Sequence, residues 1–366
     1  MHTVLVLGGY GSCGAHISRA LAGDPDILLL IAGRNLQKAQ RFALQLGLSA
    51  RRGQYLDATA TTLSSELLGL GVNTLIHAAG PFRGRDYRVA RACIEAGCHY
   101  IDLADDRDFV ADISHLDGMA RAAGVLVTSG ASTVPALSAA VVDHFLPQFS
   151  RLDSIDHGFA AGAATPGLAA LRSMLESCGK PFKRLQDGAW QTVFGWQGLR
   201  LRSYPQPVGR RWQANCDTPD LALFPLRYPG VRTVTSHAGL GMPVIQLAIW
   251  MLSWPVRRGW VANPASLATP LRWLGRGLEV LGSGNCAMRM TLSGLDPKGQ
   301  PLIRTWHMLA FNRHGSGIPC GGAIALTRKL ARGDAMPAGA GACVGLLTLE
   351  EYLAALAALE IIQILS

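Results

Sequence analysis

The chain has 366 residues, more than the roughly 100–200 of a typical domain, so we expect two domains. Apolar residues make up 49% and charged residues 16%, which is typical of a globular α/β protein and excludes a disordered or fibrous chain. The net charge of +9 lies in residues 134–366, because residues 1–133 carry 12 basic and 12 acidic groups. The second half is therefore expected to meet something anionic. No zinc-finger spacing, basic-region helix or ribonucleoprotein motif is present, so we predict no nucleic-acid partner.

The first half alternates short apolar runs with helical stretches. The predicted strands are His2–Leu7, Ile27–Ala32, Gly53–Leu56, Thr74–Ala78, His99–Leu103 and Val125–Thr128. The predicted helices are Ala15–Ala22, Leu36–Leu46, Thr62–Leu70, Tyr87–Ala96 and Phe109–Ala123. A strand as uniformly apolar as Ile27–Ala32 belongs in a parallel sheet covered on both faces. Repeated βα units with right-handed crossovers predict an α/β fold, a doubly wound Rossmann sheet at the N-terminus.

A glycine signature stands where the first strand meets the first helix. Gly9, Gly11 and Gly14 form G-x-G-x-x-G, in which the glycines allow a tight turn, close approach of a pyrophosphate and close packing of helix on strand. The N–H groups at the helix start favour phosphates. We therefore predict a dinucleotide against seven consecutive residues: Gly8, Gly9, Tyr10, Gly11, Ser12, Cys13 and Gly14.

The tip of the second strand selects the cofactor. NAD enzymes carry an Asp or Glu about 20 residues beyond the glycines, whereas an Arg suits the 2′-phosphate of NADP. The strand ends in Ala32-Gly33-Arg34-Asn35, without a carboxylate. We predict NADP, held by Arg34 and Asn35; the alternative is that Arg34 only caps a solvated loop.

Two further segments follow later strands of the same sheet. Asp57, after the third strand, is predicted to neighbour the adenine, or else to cap the following helix. Ala79, Gly80, Pro81 and Phe82 follow the fourth strand and are predicted to contact the nicotinamide ribose, since ligands bind outside the carboxyl ends of the strands. The alternative is a simple strand-to-helix turn.

From about Val134 the pattern changes to longer alternating strands. Ser154–Ala160, Ala189–Val193, Ala287–Ser293 and Ile303–Ala310 predict a mainly antiparallel sheet in an α+β domain for substrate or dimerisation, at residues 134–345. Thr348–Leu365 is predicted as a long helix, so that residues 346–366 complete the first domain, residues 1–133.

Several stretches together carry a family resemblance. These are GGYGSCG (8–14), AGRN (32–35), HAAGPF (77–82), VARACIEAGCHYIDLADD (89–106), SGASTVPALSA (129–139) and residues 318–352. They resemble the saccharopine dehydrogenase-like NADP-binding oxidoreductases, in particular a lipid-linked branch with trans-acting enoyl reductases. The resemblance implies NADP(H)-dependent reduction, or the reverse oxidation, of a C=C, C=O or C=N bond in a hydrophobic, lipid-like substrate. The competing hypothesis is an NADP(H)-binding sensor without turnover.

Hydride transfer needs one or two titratable groups near the nicotinamide. Tyr10, His99 and Asp102 are the candidates for catalysis, with His77, Tyr100 and Asp105 as further possibilities. Histidines within strands are more often satisfied interior residues, and Asp102 can equally cap a turn. No G-x-S-x-G elbow and no metal-ligand spacing is present, so neither a hydrolase nor a metal site is predicted.

The segment Trp250–Trp273 interleaves tryptophans with arginines and follows an uncharged run, Thr233–Val256. Such faces bind anionic lipid, which predicts weak peripheral attachment to a membrane. The competing interpretation is that these residues form the domain core or a homodimer interface. The absence of C-x-x-C pairs and of a leader before the first strand predicts a cytoplasmic protein, with peripheral attachment to the inner face of the membrane as the variant.

Overall fold

The structure is a computed structural model that describes residues 1–162, 167–278 and 283–365. It divides into two compact units. The first unit comprises Met1–Ala140 and Ser316–Leu356, and the second comprises Val141–Gly315 and Ala357–Ser366. This division differs from the predicted boundaries, because the chain returns to the first unit at Ser316 rather than near residue 346 and leaves it again after Leu356.

The strands, in chain order, are β1 (His2–Leu7), β2 (Ile27–Gly33), β3 (Gly53–Tyr55), β4 (Thr74–His77), β5 (His99–Asp102), β6 (Leu126–Ser129), β7 (Arg151–Ala160), β8 (Pro181–Gln186), β9 (Ala189–Phe194), β10 (Arg200–Ser203), β11 (Arg210–Asn215), β12 (Thr233–Gly239), β13 (Cys286–Leu295), β14 (Pro301–Ala310), β15 (Gly339–Ala342) and β16 (Ile361–Leu365). The helices are α1 (Ser12–Leu21), α2 (Leu36–Gln45), α3 (Leu63–Gly69), α4 (Arg88–Glu95), α5 (Arg107–Asp112), α6 (Asp117–Ala122), α7 (Ser138–Phe145), α8 (Leu168–Ser177), α9 (Asp220–Arg227), α10 (Pro243–Arg257), α11 (Ala268–Leu278), α12 (Gly321–Arg332) and α13 (Leu349–Ala354).

The first unit is built on a seven-stranded parallel sheet. Its strand order is β15-β6-β5-β4-β1-β2-β3, and every adjacent pair runs parallel. Val4, Leu5 and Val6 of the central strand are fully buried, as a strand covered on both faces requires. The order reverses at β1, so a crevice opens beside its carboxyl end. The predicted Rossmann sheet is confirmed.

Two features of the first unit differ from the prediction. The single helix expected over Phe109–Ala123 is instead α5, a 3₁₀ turn over Ile113–Leu116 and α6. Strand β15 adds to the sheet beside β6, although its residues Gly339–Ala342 were assigned to the second domain. A Gly-Ala run has low β propensity, so only pairing with a distant strand makes it extended.

The second unit contains a seven-stranded mixed sheet in the order β10-β11-β12-β7-β13-β14-β16. Strands β12 and β7 pair parallel, whereas the other adjacent pairs are antiparallel. A separate hairpin, β8 and β9, turns at Asp187 and Gly188, both with positive φ. The predicted second domain with a mainly antiparallel sheet is thus confirmed. No helix in the described ranges is long and apolar enough to cross a bilayer.

The C-terminal helix predicted over Thr348–Leu365 is wrong in its second half. Helix α13 begins with a capping box between Thr348 and Glu351 and ends at Ala354. Ile361–Leu365 is strand β16, which pairs antiparallel with β14. The β-branched isoleucines there favour an extended chain, and pairing with β14 supplies the hydrogen bonds that a helix would otherwise provide.

Candidate functional site

The turn between β1 and α1 requires glycine at specific places. Gly8 has φ +82°, a conformation that side chains disfavour. A Cβ at Gly14 would lie 2.1 Å from the Gly8 carbonyl oxygen, and one at Gly9 would lie 2.8 Å from the Val6 oxygen. Gly9 and Gly14 therefore let the turn close tightly and let α1 pack against it, as the motif predicts.

Gly11 is constrained by a different requirement. Its φ of −77° suits any residue, and a Cβ there would meet only the Gly8 oxygen, at 3.1 Å. Gly11 is the N-cap of α1 and offers no side-chain cap, so N–H groups of the first helical turn, which includes Ser12 and Cys13, await an outside acceptor. An anion fits this position, and any side chain at Gly11 would project into its space.

The tip of β2 is shaped by Tyr10. The Tyr10 hydroxyl accepts a hydrogen bond from the Asn35 N–H at 3.0 Å, and a Cβ at Gly33 would lie 2.6 Å from that hydroxyl. Asn35 caps α2 by accepting from the Lys38 N–H. Arg34 is exposed beside them. Tyr10 thus lies with the residues predicted for the 2′-phosphate, which is at odds with its proposed catalytic role.

Asp57 lies near Arg34, beside the tip of β2. Its Oδ1 accepts from both the N–H and the hydroxyl of Thr59, each at 2.9 Å. These bonds, together with the nearby charge of Arg34, lower the pKa of Asp57. Asp57 does not cap the following helix, because the N-cap of α3 is Thr62. Asp57 lines the same cavity as Arg34, and its contact with the adenine stays a prediction.

The loop after β4 lies against the glycine turn. A Cβ at Gly8 would meet the Ala79 nitrogen at 3.1 Å, so the two backbones are close neighbours. The ring of Phe82 contacts the His77 imidazole edge-on at 5.0 Å between centroids and is buried. Burial and the charge of Arg85 lower the pKa of His77 to about 4, so this imidazole is neutral at pH 7.

A cavity of about 550 Å³ joins these segments. This volume is within the usual range for ligand sites. Of the predicted cofactor-binding residues it is lined by Gly8, Tyr10, Gly11, Arg34, Asp57, Ala79, Gly80 and Pro81. The remaining predicted residues, Gly9, Ser12, Cys13, Gly14, Asn35 and Phe82, do not line it but shape the turn, the helix start and the loops around it.

Asp102 is buried beneath the ends of the strands rather than in the cavity. Its Oδ1 accepts at 2.9 Å from the N–H groups of Ala104 and Gly130 and from the Ser129 hydroxyl. Burial raises its pKa to about 6, although these hydrogen bonds oppose the shift. Asp102 therefore fixes the loops that follow β5 and β6. On the neighbouring strand β4, His77 Nδ1 lies 3.0 Å from the hydroxyl of Tyr100, a residue of β5.

His99 lies at the amino end of its strand, opposite the end at which Asp102 lies. It is the first residue of the four-residue strand β5, whereas Asp102 is the last. Its Nδ1 accepts from the Leu126 N–H at 2.9 Å. The cavity lies outside the carboxyl ends of the strands, so the predicted catalytic role of His99 does not fit its position.

The structure adds residues that the sequence did not single out. Arg85, Arg88 and Phe109 line the cavity near His77. They lie in or beyond the long segment between β4 and β5, where periodicity gives no indication of which side chains turn inward. No group of three or more His, Cys, Asp or Glu side chains able to hold a metal ion occurs within the described ranges.

A parallel doubly wound sheet, a glycine turn opening onto a helix start, and a cavity at the switch point define a dinucleotide-binding Rossmann unit. Two observations of this structure support a fit to NADP. Gly11 leaves open the space that a pyrophosphate needs, and Arg34 at the tip of β2 offers a guanidinium where a 2′-phosphate would lie.

Comparison with known proteins specifies the type of this unit. Residues 4–138 match the family model for the saccharopine dehydrogenase NADP binding domain. The fold is similar to that of apo saccharopine dehydrogenase (L-Glu forming) from Saccharomyces cerevisiae, with a TM-score of 0.68, 14% identity and 100% of both chains covered. It is also similar to an amine dehydrogenase from Mycobacterium smegmatis, with a TM-score of 0.51, 12% identity, and 96% of this chain and 95% of that one covered. No curated protein matches in sequence.

The first unit therefore carries an NADP-binding domain of the saccharopine dehydrogenase type, and the fold of the whole chain is similar to the folds of a saccharopine dehydrogenase and an amine dehydrogenase. The predicted family resemblance is confirmed at this level. Its narrower form, the lipid-linked branch with enoyl reductases, stays a prediction.

Proposed function

We propose that this protein is an NADP(H)-dependent oxidoreductase that acts on a C=C, C=O or C=N bond of a hydrophobic substrate. The observation that carries the proposal is the cavity of the first unit. It brings the open Gly11 position, Arg34 and the loop around Gly80 to one place within the NADP-binding domain. These are the three contacts that pyrophosphate, 2′-phosphate and nicotinamide ribose require.

Preference for NADP over NAD rests on Arg34. Arg34 follows directly on the last residue of β2, and no carboxylate stands at that tip to accept a ribose 2′-hydroxyl. The carboxylate of Asp57 is near, but it is engaged by Thr59. A guanidinium with an exposed, planar fork suits a phosphate dianion.

When bound, the nicotinamide supplies or accepts a hydride, so the protein has chiefly to position the reacting partners. His77 acts in this account as a positioning residue. Its Nδ1 bonds to the Tyr100 hydroxyl, and its ring packs against Phe82 at the end of the loop. Because His77 stays neutral at pH 7, it orients this loop without adding a charge beside the site.

A second candidate is a sensor that binds NADP(H) without turnover. It is favoured by the chemistry of the cavity: His77 is held neutral, and Asp102 does not line the cavity. A sensor needs only cofactor affinity, whereas an enzyme must in addition bring a proton donor or a polarising group to the substrate.

The hydrophobic substrate and the weak membrane contact are supported by the surface of the second unit. Trp254, Trp260 and Trp273 are exposed, the last two by about three quarters, at 75% and 74%. Arg258 lies over the rings of Trp254 and Trp260 at 5.9 and 5.5 Å. Aromatic rings beside guanidinium groups are suited to an anionic bilayer surface, and a homodimer through the same tryptophans is the competing occupant.

The test is turnover. Purified protein is mixed with NADPH and, one at a time, enones, ketones and imines with long alkyl chains, and loss of NADPH absorbance is followed. We expect oxidation with at least one class, and none by a Gly11→Val variant. Cofactor binding without oxidation across the panel would favour the sensor, and absence of NADPH binding would refute both functions.

A further inference from the structure

One face of the second unit's sheet is polar. In the register of β7, β12 and β13, Asp156 pairs with Thr235, and Gly158 lies between His237 and Arg289. Paired residues point to the same face of a sheet, so these side chains meet across three strands. The alternate positions lie on the opposite face, where Ile155 is fully buried and His157 is buried 3.1 Å from the carboxylate of Asp220.

A single carboxylate lies at the centre of this polar face. Arg202 Nη2 lies 2.7 Å and Arg289 Nη1 lies 3.6 Å from Asp156 Oδ2. The Thr235 hydroxyl donates to Asp156 Oδ1 at 2.6 Å, and His237 Nδ1 lies 3.2 Å from the same oxygen. Burial raises the pKa of Asp156, but the hydrogen bonds from His237 and Thr235 and the charge of Arg202 outweigh it and hold this pKa well below its ordinary value.

Two further arginines share the same counter-ion. Arg184 on β8 and Arg200 on β10 both interact electrostatically with Asp156. Arg184, Arg200, Arg202 and Arg289, here called the arginine cluster, therefore bring four formal positive charges to one negative charge. Arg184 also donates hydrogen bonds to the neutral side chains of Asn215, at 3.1 Å, and Gln186, at 2.7 Å. One bidentate pair would neutralise Asp156, so these structural contacts leave most of the positive charge of the cluster unbalanced.

The surplus charge is costly because the cluster is half-buried. The Arg202 and Arg289 side chains are 28% and 20% exposed. Burial lowers the pKa of Arg184, Arg200 and Arg289, yet a guanidinium does not deprotonate in proteins. The charge must therefore be balanced from outside, since buried like charges without counter-ions destabilise a fold.

Buried polar atoms beside the cluster also await a partner. His237 is 1% exposed, and its Nε2 has no hydrogen-bond partner among the described residues. Two more buried nitrogens have no hydrogen-bond partner within the described part of the chain, namely Nδ1 of His307 and Nε of Arg184. His307 is 7% exposed and lies within the electrostatic influence of Arg289. Such groups occur where a ligand or water completes the hydrogen bonding.

We propose that the arginine cluster on this sheet face binds the anionic group, a phosphate or a carboxylate, of a small-molecule ligand. The planar forks of Arg200, Arg202 and Arg289 match either oxyanion bidentately, with His237 as an additional hydrogen-bonding group. The site belongs to the second unit alone and does not depend on redox activity. It gives part of the +9 charge of residues 134–366 a specific use.

The test is equilibrium binding to the full chain without cofactor. Inorganic phosphate, acetate and glutarate are titrated separately by calorimetry, so that the arms distinguish phosphate from mono- and dicarboxylates. We expect saturable binding of at least one, weakened about tenfold or more by Arg289→Met and by Arg200→Met, since each removes a charge-assisted hydrogen bond. Arg210→Met is the matched control, because Arg210 is an exposed neighbour of Arg211 on β11 and lies outside the cluster.

Two readouts separate this proposal from a structural role and from the cofactor site. Thermal unfolding of the unliganded Arg289→Met variant should occur at an unchanged or higher temperature, because a surplus charge has been removed, and its affinity for NADPH should be unchanged. Absence of saturable binding by all three anions at millimolar concentrations would overturn the proposal. So would equal weakening by the Arg210→Met control, or a marked loss of stability in Arg289→Met without any anion binding.

Discussion

The choice of NADP over NAD is testable through Arg34. In Arg34→Asp, the guanidinium at the tip of β2 is replaced by a carboxylate that adds to the nearby charge of Asp57. A hydrogen bond to a charged group contributes about 1.5–3 kcal/mol, and Arg34 is exposed, so we take the lower end for the loss of attraction. That corresponds to about tenfold weaker NADPH binding, and repulsion between the new carboxylate and the 2′-phosphate adds to it.

The assay is fluorescence titration of NADPH and NADH at low and moderate ionic strength. The wild type should bind NADPH more tightly than NADH, and added salt should weaken NADPH binding more. Arg34→Asp should lose this preference while NADH affinity stays within about twofold of the wild type. Arg41→Gln serves as the control and should change neither affinity, because Arg41 is also exposed but lies in α2, beyond the tip of β2. A preference for NADPH that survives Arg34→Asp would refute the assignment.

Three further predictions follow from the geometry. Gly11→Val should abolish dinucleotide binding in calorimetry. The variant should keep the wild-type circular dichroism spectrum and a melting temperature within a few degrees of the wild type, because the φ of Gly11 suits valine and a Cβ there would meet only the Gly8 oxygen. Retained dinucleotide affinity would mean that the glycines form only a turn. The free energy of unfolding should fall by up to about 3 kcal/mol as the pH rises from about 4 to about 6, because burial raises the pKa of Asp102 to about 6 and the folded state therefore binds this proton more tightly than the unfolded state. Asp102→Asn should remove this part of the pH dependence, and a variant with the same stability profile as the wild type would contradict the prediction. Trp260→Ser with Trp273→Ser should abolish low-salt co-flotation with phosphatidylserine vesicles, whereas the control Trp190→Ser, which changes an exposed tryptophan on β9, should not. A dimer in solution without flotation would favour the homodimer.

Local patterns predicted the first sheet well because its strands are short, apolar and directly followed by helices. The bounds of β1 are those expected, and the glycine turn, Arg34 and the loop around Gly80 meet at one cavity because carboxyl ends of parallel strands share an edge. The same rule would have excluded His99, which begins its strand rather than ending it.

Non-local pairing decided the remainder. Strand β15 forms only because it pairs with β6, more than 200 residues earlier, and the C-terminal strand β16 forms only beside β14. The arginine cluster is likewise assembled from β8, β10 and β13, and no spacing along the chain indicates that Arg184, Arg200 and Arg289 share one carboxylate. Tyr10 illustrates the converse: it lies within the motif, but its side chain reaches across to Asn35.

A crystal structure of the protein grown with NADP⁺ would test the central claim most directly. The account predicts the pyrophosphate at the Gly11 end of α1, the 2′-phosphate within hydrogen-bonding distance of the Arg34 guanidinium, and the nicotinamide beside Ala79, Gly80 and Pro81. A dinucleotide bound in the reverse direction, bound outside this cavity, or absent at saturating concentration would contradict it.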